Sequence, residues 1–351
     1  MTSLPVHLVA LAMISAGAAC SGDDPQDASA ARGGDAGHGG AHSESPAEAG
    51  SVPPTDSVPG TRCSGELPVM SVLDVEHSVE LEPDWTCYDG PPPDEPAPAR
   101  QGSLSLAKSV PALVDSVEGL KADVFFGPST VGAPSATFTF GASGIVELSL
   151  PAGVGNVSLH VHKLSRPDPR YDIAELREYD VPVPATGVIE ASSALTAMHR
   201  LATNLVQASD PEAPHTALLM AEARDCQGRD VGGARFTLLD ADSGEAVPTS
   251  SMGDLPRPAY SQFALPNPEC TFTTVGRAEW MLANAPVNVS GDSITRRYKL
   301  RLEGRMREKD VEPRVLGERE VELFAGTTSI VRLYRVSAEC EVISGSIERC
   351  R

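Results

Sequence analysis

Short runs of alternating apolar and polar residues recur along this chain, and they constrain its fold more than any other feature. SLSLAKSV (103–110), GLKADVFF (119–126), SATFTF (135–140), IVELSL (145–150) and VSLHVHKL (157–164) are parted by Gly, Pro and Ser. Period-2 runs with such breakers read as strands of a half-buried antiparallel sheet. After residue 215 the pattern resumes in ALLMAEARD, ARFTLLDA, CTFTTV, RAEWMLANA, RRYKLRLEG, REVELFAG and TSIVRLYRV. Regular spacing of short strands predicts a mainly β chain with two tandem antiparallel Greek-key sandwiches, spanning 101–190 and 211–338. Between them Leu195, Met198, Ala202, Leu205 and Val206 keep helical spacing. Ser192 or Ser193 as cap and Pro211 as stop then predict a helix within 191–210.

The first nineteen positions read as processing rather than fold. Leu4 to Ala18 is mostly apolar but too short to span a bilayer, and Gly17, Ala18 and Ala19 lead into Cys20. The site resembles a bacterial lipobox, although Gly17 stands where leucine is favoured and residues 1–19 contain no Lys or Arg, only His7. Lipidation of Cys20 after cleavage of a 1–19 signal is the expectation. A secretory signal that leaves a soluble periplasmic or secreted chain is the alternative. Ser21 after the cysteine, with Asp first at 23 and 24, fits sorting to the outer membrane. A single acyl chain anchors only marginally, so anchoring implies the several chains that lipoprotein processing supplies, palmitate among them.

Export makes disulfides the natural fate of the remaining cysteines, 63, 87, 226, 270, 340 and 350. Local pairing is expected: Cys63–Cys87, Cys226–Cys270 and Cys340–Cys350, each contributing roughly 3 kcal/mol. No pair has the C-x-x-C spacing of zinc or redox sites. Residues 20–60, rich in Gly, Ser, Pro and Asp, lack the apolar content to fold and read as a disordered tether. A Cys-bounded stub and Pro-rich linker occupy 61–100, with Trp85 expected to pack over a disulfide. A Cys clasp occupies 339–351.

ARDCQGRDVGGARFTLLDADSGEAVP (223–248) resembles the opening of a carboxypeptidase regulatory-like, or transthyretin-like, domain. Asp225, Gly228, Gly233 and Ala234 carry its strand, Asp-x-x-Gly turn and Gly-Ala logic. GASGIVELSLPAG (141–153) resembles the family's hairpin, and AGTTSIVRLYRV (325–336) its final edge-strand pair. The resemblance covers about 101–338 and implies Greek-key modules that serve as spacers, binding modules or accessory domains. The branch that hydrolyses 5-hydroxyisourate ends Tyr-Arg-Gly-Ser, whereas here Val336 and Ser337 follow Tyr334-Arg335 and the chain ends SIERCR. Within the chain, 135–153 also parallels 270–288.

The sequence holds no G-x-S-x-G, H-E-x-x-H or Walker loop, and GVGNVS (153–158) reads as a hairpin turn rather than a dinucleotide loop. A net charge of −20 disfavours nucleic acid. His160 and His162, two apart on a strand, share a face, and Asp123 or Glu147 could complete a metal site. A solvent-facing pair with Leu159 and Val161 inward is the preferred reading, so no metal or cofactor is expected. His38 and His42 in the tether read as chance. Asp240, Asp242 and Glu245 lack EF-hand spacing and read as a solvated turn. Arg297, Lys299 and Arg301 form a basic stripe on one strand face, read as locally paired or, secondarily, as an anion or glycan contact. The insertion 249–269, with Tyr260 and Phe263, is the best loop for a contact surface. The expected function is a non-catalytic envelope lipoprotein that binds a protein or glycan. The alternatives are an enzyme with a site near 249–269 and a purely structural spacer.

Overall fold

The computed structural model describes residues 63–74, 77–85, 98–106, 116–184, 186–208, 215–250, 255–262, 265–276, 278–287, 295–333, 340–343 and 346–350. The signal and Cys20, the tether with His38 and His42, most of the Pro-rich linker, Cys87, Phe263 and Tyr334 lie outside these residues. The described chain is mainly β.

The stub supplies β1 (Ser71–Asp74) and β2 (Val79–Leu81). The first half supplies β3 (Arg100–Ser105), β4 (Lys121–Phe126), β5 (Ala136–Thr139), β6 (Ile145–Leu150), β7 (Asn156–Val161), β8 (Leu176–Pro182) and β9 (Val188–Glu190). Helix α1 (Thr196–Leu205) follows. The second half supplies β10 (Thr216–Ala223), β11 (Val231–Gly232), β12 (Ala234–Asp240), β13 (Arg257–Gln262) and β14 (Leu265–Asn267). It continues with β15 (Glu279–Pro286), β16 (Thr295–Gly304), β17 (Arg314–Phe324) and β18 (Thr328–Leu333), and a last hairpin pairs β19 (Cys340–Ile343) with β20 (Ser346–Cys350).

The two halves share one sheet. Nine strands run in the order β14-β13-β15-β10-β18-β8-β7-β4-β5, and three-stranded sheets β6-β3-β9 and β12-β16-β17 complete the layers. Strand β18 sits mid-sheet, parallel to β10 on one side and β8 on the other. The expectation that 325–336 forms an edge pair is therefore corrected. An edge leaves backbone groups open, whereas here both sides of Thr328–Leu333 are paired. The parallel between 135–153 and 270–288 does not extend to topology either, since β6 lies in a small sheet and β15 in the large one.

Each half buries its own core. Leu104, Leu120, Val124, Leu159, Leu176 and Ile189 fill one, while Leu219, Phe236, Trp280, Tyr298, Leu300 and Val331 fill the other. Residues paired across a register share a face. Ala221 pairs with Val331 toward the second core, and Ile330, packed on the first core, pairs with Met220. The two small sheets thus cover opposite faces of the nine-stranded sheet. Helix α1 covers the second half's other face, where Val206 meets Leu218, Met281 and Ala283. This helix is shorter than 191–210, and its N-cap is Leu195 without a side-chain bond. Ser192 is instead taken by Glu178, whose carboxylate accepts from its backbone N–H and its hydroxyl, both at 2.6 Å.

The stub is sewn into the second half. Strand β1 pairs with β11, Met70 and Val72 enter the second core, and Cys63 is bonded to Cys270. Met70 lies where any side chain on Gly304 would be, which explains that glycine. The pairings Cys63–Cys87 and Cys226–Cys270 are therefore wrong. The reason is that the stub's β1–β2 hairpin adds onto β11, which brings Cys63 beside the segment after β14. Cys226 is also disulfide-bonded, and its N–H donates to the Asp84 carbonyl at 2.8 Å. Trp85 does sit in the core with Cys63 and Cys270. In the last hairpin the register sets Cys340 opposite Cys350.

Candidate functional site

Because the first core lies on one face of β4, β7 and β8, the alternate residues of those strands face away from it. The register lines up Thr137 on β5, Asp123 on β4, His160 on β7, Arg177 on β8 and Ser329 on β18 as one row. Leu159 and Val161 point inward and are fully buried, as the alternation predicts. His162 extends the β7 ladder by one bond, its N–H donating to the Lys121 carbonyl at 2.9 Å. Its ring then sits beside that of His160, with centroids 4.1 Å apart.

Polar atoms converge here. Asp123 Oδ1 accepts from Thr137 Oγ1 at 2.6 Å, and Oδ2 accepts from His162 Nε2 at 2.8 Å. His160 Nδ1 lies 3.8 Å from the same Oδ2, while its Nε2 donates to Glu175 Oε1 at 2.8 Å. Glu147, the other sequence candidate, is on β6 in a different sheet, opposite Ser103, and takes no part. Nor is the pair simply solvent-facing: the His160 side chain is 11% exposed and that of His162 38%. Glu175 and Thr137 could not be found by local spacing, because only strand register brings them in.

The electrostatics follow from these contacts. Partial burial works most strongly against the Asp123 charge, yet hydrogen bonds from Thr137 and His162 together outweigh it and hold the carboxyl below its ordinary value. The bond from His160 does the same for Glu175, against its burial. Burial pulls the Arg177 guanidinium down from its usual range. That group lies 3.4 Å from the Phe324 ring centroid and donates to Thr130 Oγ1 at 3.1 Å. The Thr137 hydroxyl bonds the carboxylate and not an imidazole, so the order of a nucleophile activated by a base is not formed. What the geometry offers is three ligand-type atoms, from Asp123, His160 and His162, all within 4.8 Å of one another.

The other sequence candidates fall elsewhere. Tyr260 is a core residue, 4% exposed, whose hydroxyl accepts from the Phe236 N–H at 3.0 Å. It presents no contact surface, because within this segment Arg257–Gln262 and Leu265–Asn267 pair as β13 and β14 at one end of the nine-stranded sheet. A recess of about 260 Å³ between these strands and the end of α1 is lined by Val206, Thr249, Arg257 and Pro268. Arg257 there donates to the Val206 carbonyl at the helix end. The stripe on β16 is a ladder of ion pairs. Arg297 meets Asp242 at 3.2 Å, Lys299 meets Glu318 at 3.7 Å, and Arg301 meets Glu318 at 2.6 Å. Asp240 Oδ1 accepts from the N–H groups of Asp242 and Ser243, and its carboxyl is lowered to about 2, as a capped turn requires.

The chain matches no protein-family model and no curated protein. No helix among the described residues is long and apolar enough to cross a membrane.

Proposed function

We propose that the chain is an exported lipoprotein, held to the outer membrane by lipid on Cys20. Its body comprises two tandem Greek-key sandwiches of the carboxypeptidase regulatory-like kind, merged along one sheet. It acts as a non-catalytic module that binds an envelope protein or glycan. The observation that carries this reading is the order along the chain: an apolar segment, small residues, Cys20, a stretch too polar to fold, then a cross-linked β body. Such an order displays a rigid module at a distance from a membrane. The turn at Asp225 supports the family reading. Its Oδ1 accepts from the N–H groups of Gln227 and Arg229, and Gly228 and Gly233 both have positive φ.

Intact mass and membrane fractionation of the full chain, beside a Cys20→Ala variant, test the anchor. Lipid mass on Cys20 and release of the variant into the soluble fraction are expected. An unmodified, soluble parent chain overturns the anchor. Turnover of a substrate panel that one side-chain change abolishes overturns the non-catalytic assignment.

A further inference from the structure

We infer that the outward face of β4 and β7 is a binding site for one divalent first-row transition ion, with His160 Nδ1, His162 Nε2 and Asp123 Oδ2 as ligands. This inference stands apart from the anchored-module reading, because it rests only on side chains of the folded body.

Three features favour a cation here over a plain hydrogen-bonded pair. First, the donors already converge. Oδ2 lies 2.8 Å from one imidazole nitrogen and 3.8 Å from the other. These distances bracket the ligand-to-ligand span of about 3.3 Å that tetrahedral bonds of about 2.0–2.1 Å impose. Second, two of the three ligands are oriented from behind, while His162 would exchange its Nε2–H···Oδ2 bond for the metal and carry its proton on Nδ1. Glu175 accepts the hydrogen bond from His160 Nε2–H and so keeps the proton on Nε2, which leaves Nδ1 with its lone pair toward Asp123. Thr137 holds Oδ1 and so presents Oδ2. A carboxylate behind a ligating histidine is the usual second layer of a metal site. Third, the ligands sit on adjacent strands of a continuous sheet, which fixes their spacing better than loops would. Arg177, next in the row, stacks on Phe324 and bonds Thr130.

Two imidazoles and one carboxylate suit Zn²⁺, Co²⁺, Ni²⁺ or Cu²⁺ better than Mg²⁺ or Ca²⁺, which take oxygen. The partial exposure of His162 leaves the remaining coordination positions to solvent.

The test is titration of the full, oxidised chain with Zn²⁺ by calorimetry and with Co²⁺ by visible absorption. One equivalent should bind, and X-ray absorption of the Zn²⁺ form should show two imidazoles among nitrogen and oxygen neighbours. His162→Ala, at a half-exposed position, should remove the binding. Glu175→Gln should weaken it by about 10- to 100-fold, as loss of an outer-layer carboxylate does. His38→Ala/His42→Ala should leave it unchanged. Absence of Zn²⁺ and Co²⁺ binding to the parent chain, or binding that survives in His162→Ala, overturns the assignment. Should His162→Ala fail to fold, a parent-chain absorption spectrum without imidazole ligands overturns it equally.

Discussion

Replacing Cys63 and Cys270 together by Ala tests the feature that most changes the architecture read from sequence. The bridge closes a sequence separation of 207 residues. In the chain-entropy model a cross-link of that span removes about 5 kcal/mol of unfolded-state freedom, against about 3 kcal/mol for a loop of some fifteen residues. The bridge at Cys226 remains in the variant and restrains part of the same chain. The observed loss should therefore fall between about 3 and about 5 kcal/mol. Both tryptophans, Trp85 and Trp280, lie in the core that the bridge enters, so their fluorescence reports its unfolding. Urea titration of parent and variant under non-reducing conditions gives the difference. A non-reducing digest of the parent gives the connectivity, with a linked Cys63–Cys270 peptide expected. A digest that joins Cys63 to Cys87, or a loss below about 1 kcal/mol, would refute the reasoning.

Arg332 bridges the halves: from β18 it reaches Glu178 on β8 and Glu222 on β10, each at 3.2 Å. Arg332→Met should cost about 3 kcal/mol in chemical unfolding, because the 1% exposed Glu178 carboxylate loses its cation. Tyr260→Phe should cost about 1–3 kcal/mol on thermal unfolding, since the buried Phe236 N–H loses its acceptor. Glu222 gives a pH dependence. Burial works against its charge, but Arg332 and Arg224 outweigh it, so its folded-state carboxyl sits below the ordinary 4.5. A depressed carboxyl contributes its full stability above the unfolded value and loses it as pH falls through the folded one. Stability should therefore fall below pH 4.5, and Glu222→Gln should flatten that fall in acid titrations followed by circular dichroism.

Strand identity was legible because it is a local property. The alternation in IVELSL and VSLHVHKL appears in the structure as β6 and β7, with Leu148, Leu159 and Val161 inward. Partner choice was not legible, because nothing in Thr328–Leu333 specifies that it will slot between β8 and β10. The run from Ala217 to Ala223 does carry a hint, being apolar on both faces apart from Glu222, as a covered central strand requires. Pro256, Pro258, Pro266 and Pro268 disguised the β13–β14 hairpin as a loop, since prolines are tolerated near the end of a sheet where ladder bonds are few. The cysteines misled for the same reason as β18: proximity in sequence says little once a stub folds against β11.

The candidate site divides along the same line. Two histidines at i and i+2 are a sequence pattern, and Asp123 was one of two carboxylates within reach of it. The pattern alone equally suits a solvated face, because alternation puts both rings outward whether or not anything meets them. What separates the two cases is what stands behind the rings. Glu175 on the Nε2 of His160 and Thr137 on the Oδ1 of Asp123 come from elements that only the register β5-β4-β7-β8 brings together. A solvated histidine has no need of a carboxylate that fixes its tautomer, whereas a ligand does. The weight of the metal assignment therefore lies on Glu175, and its replacement by Gln, which keeps the shape and removes the charge, is the change that separates an oriented ligand from a merely buried ring.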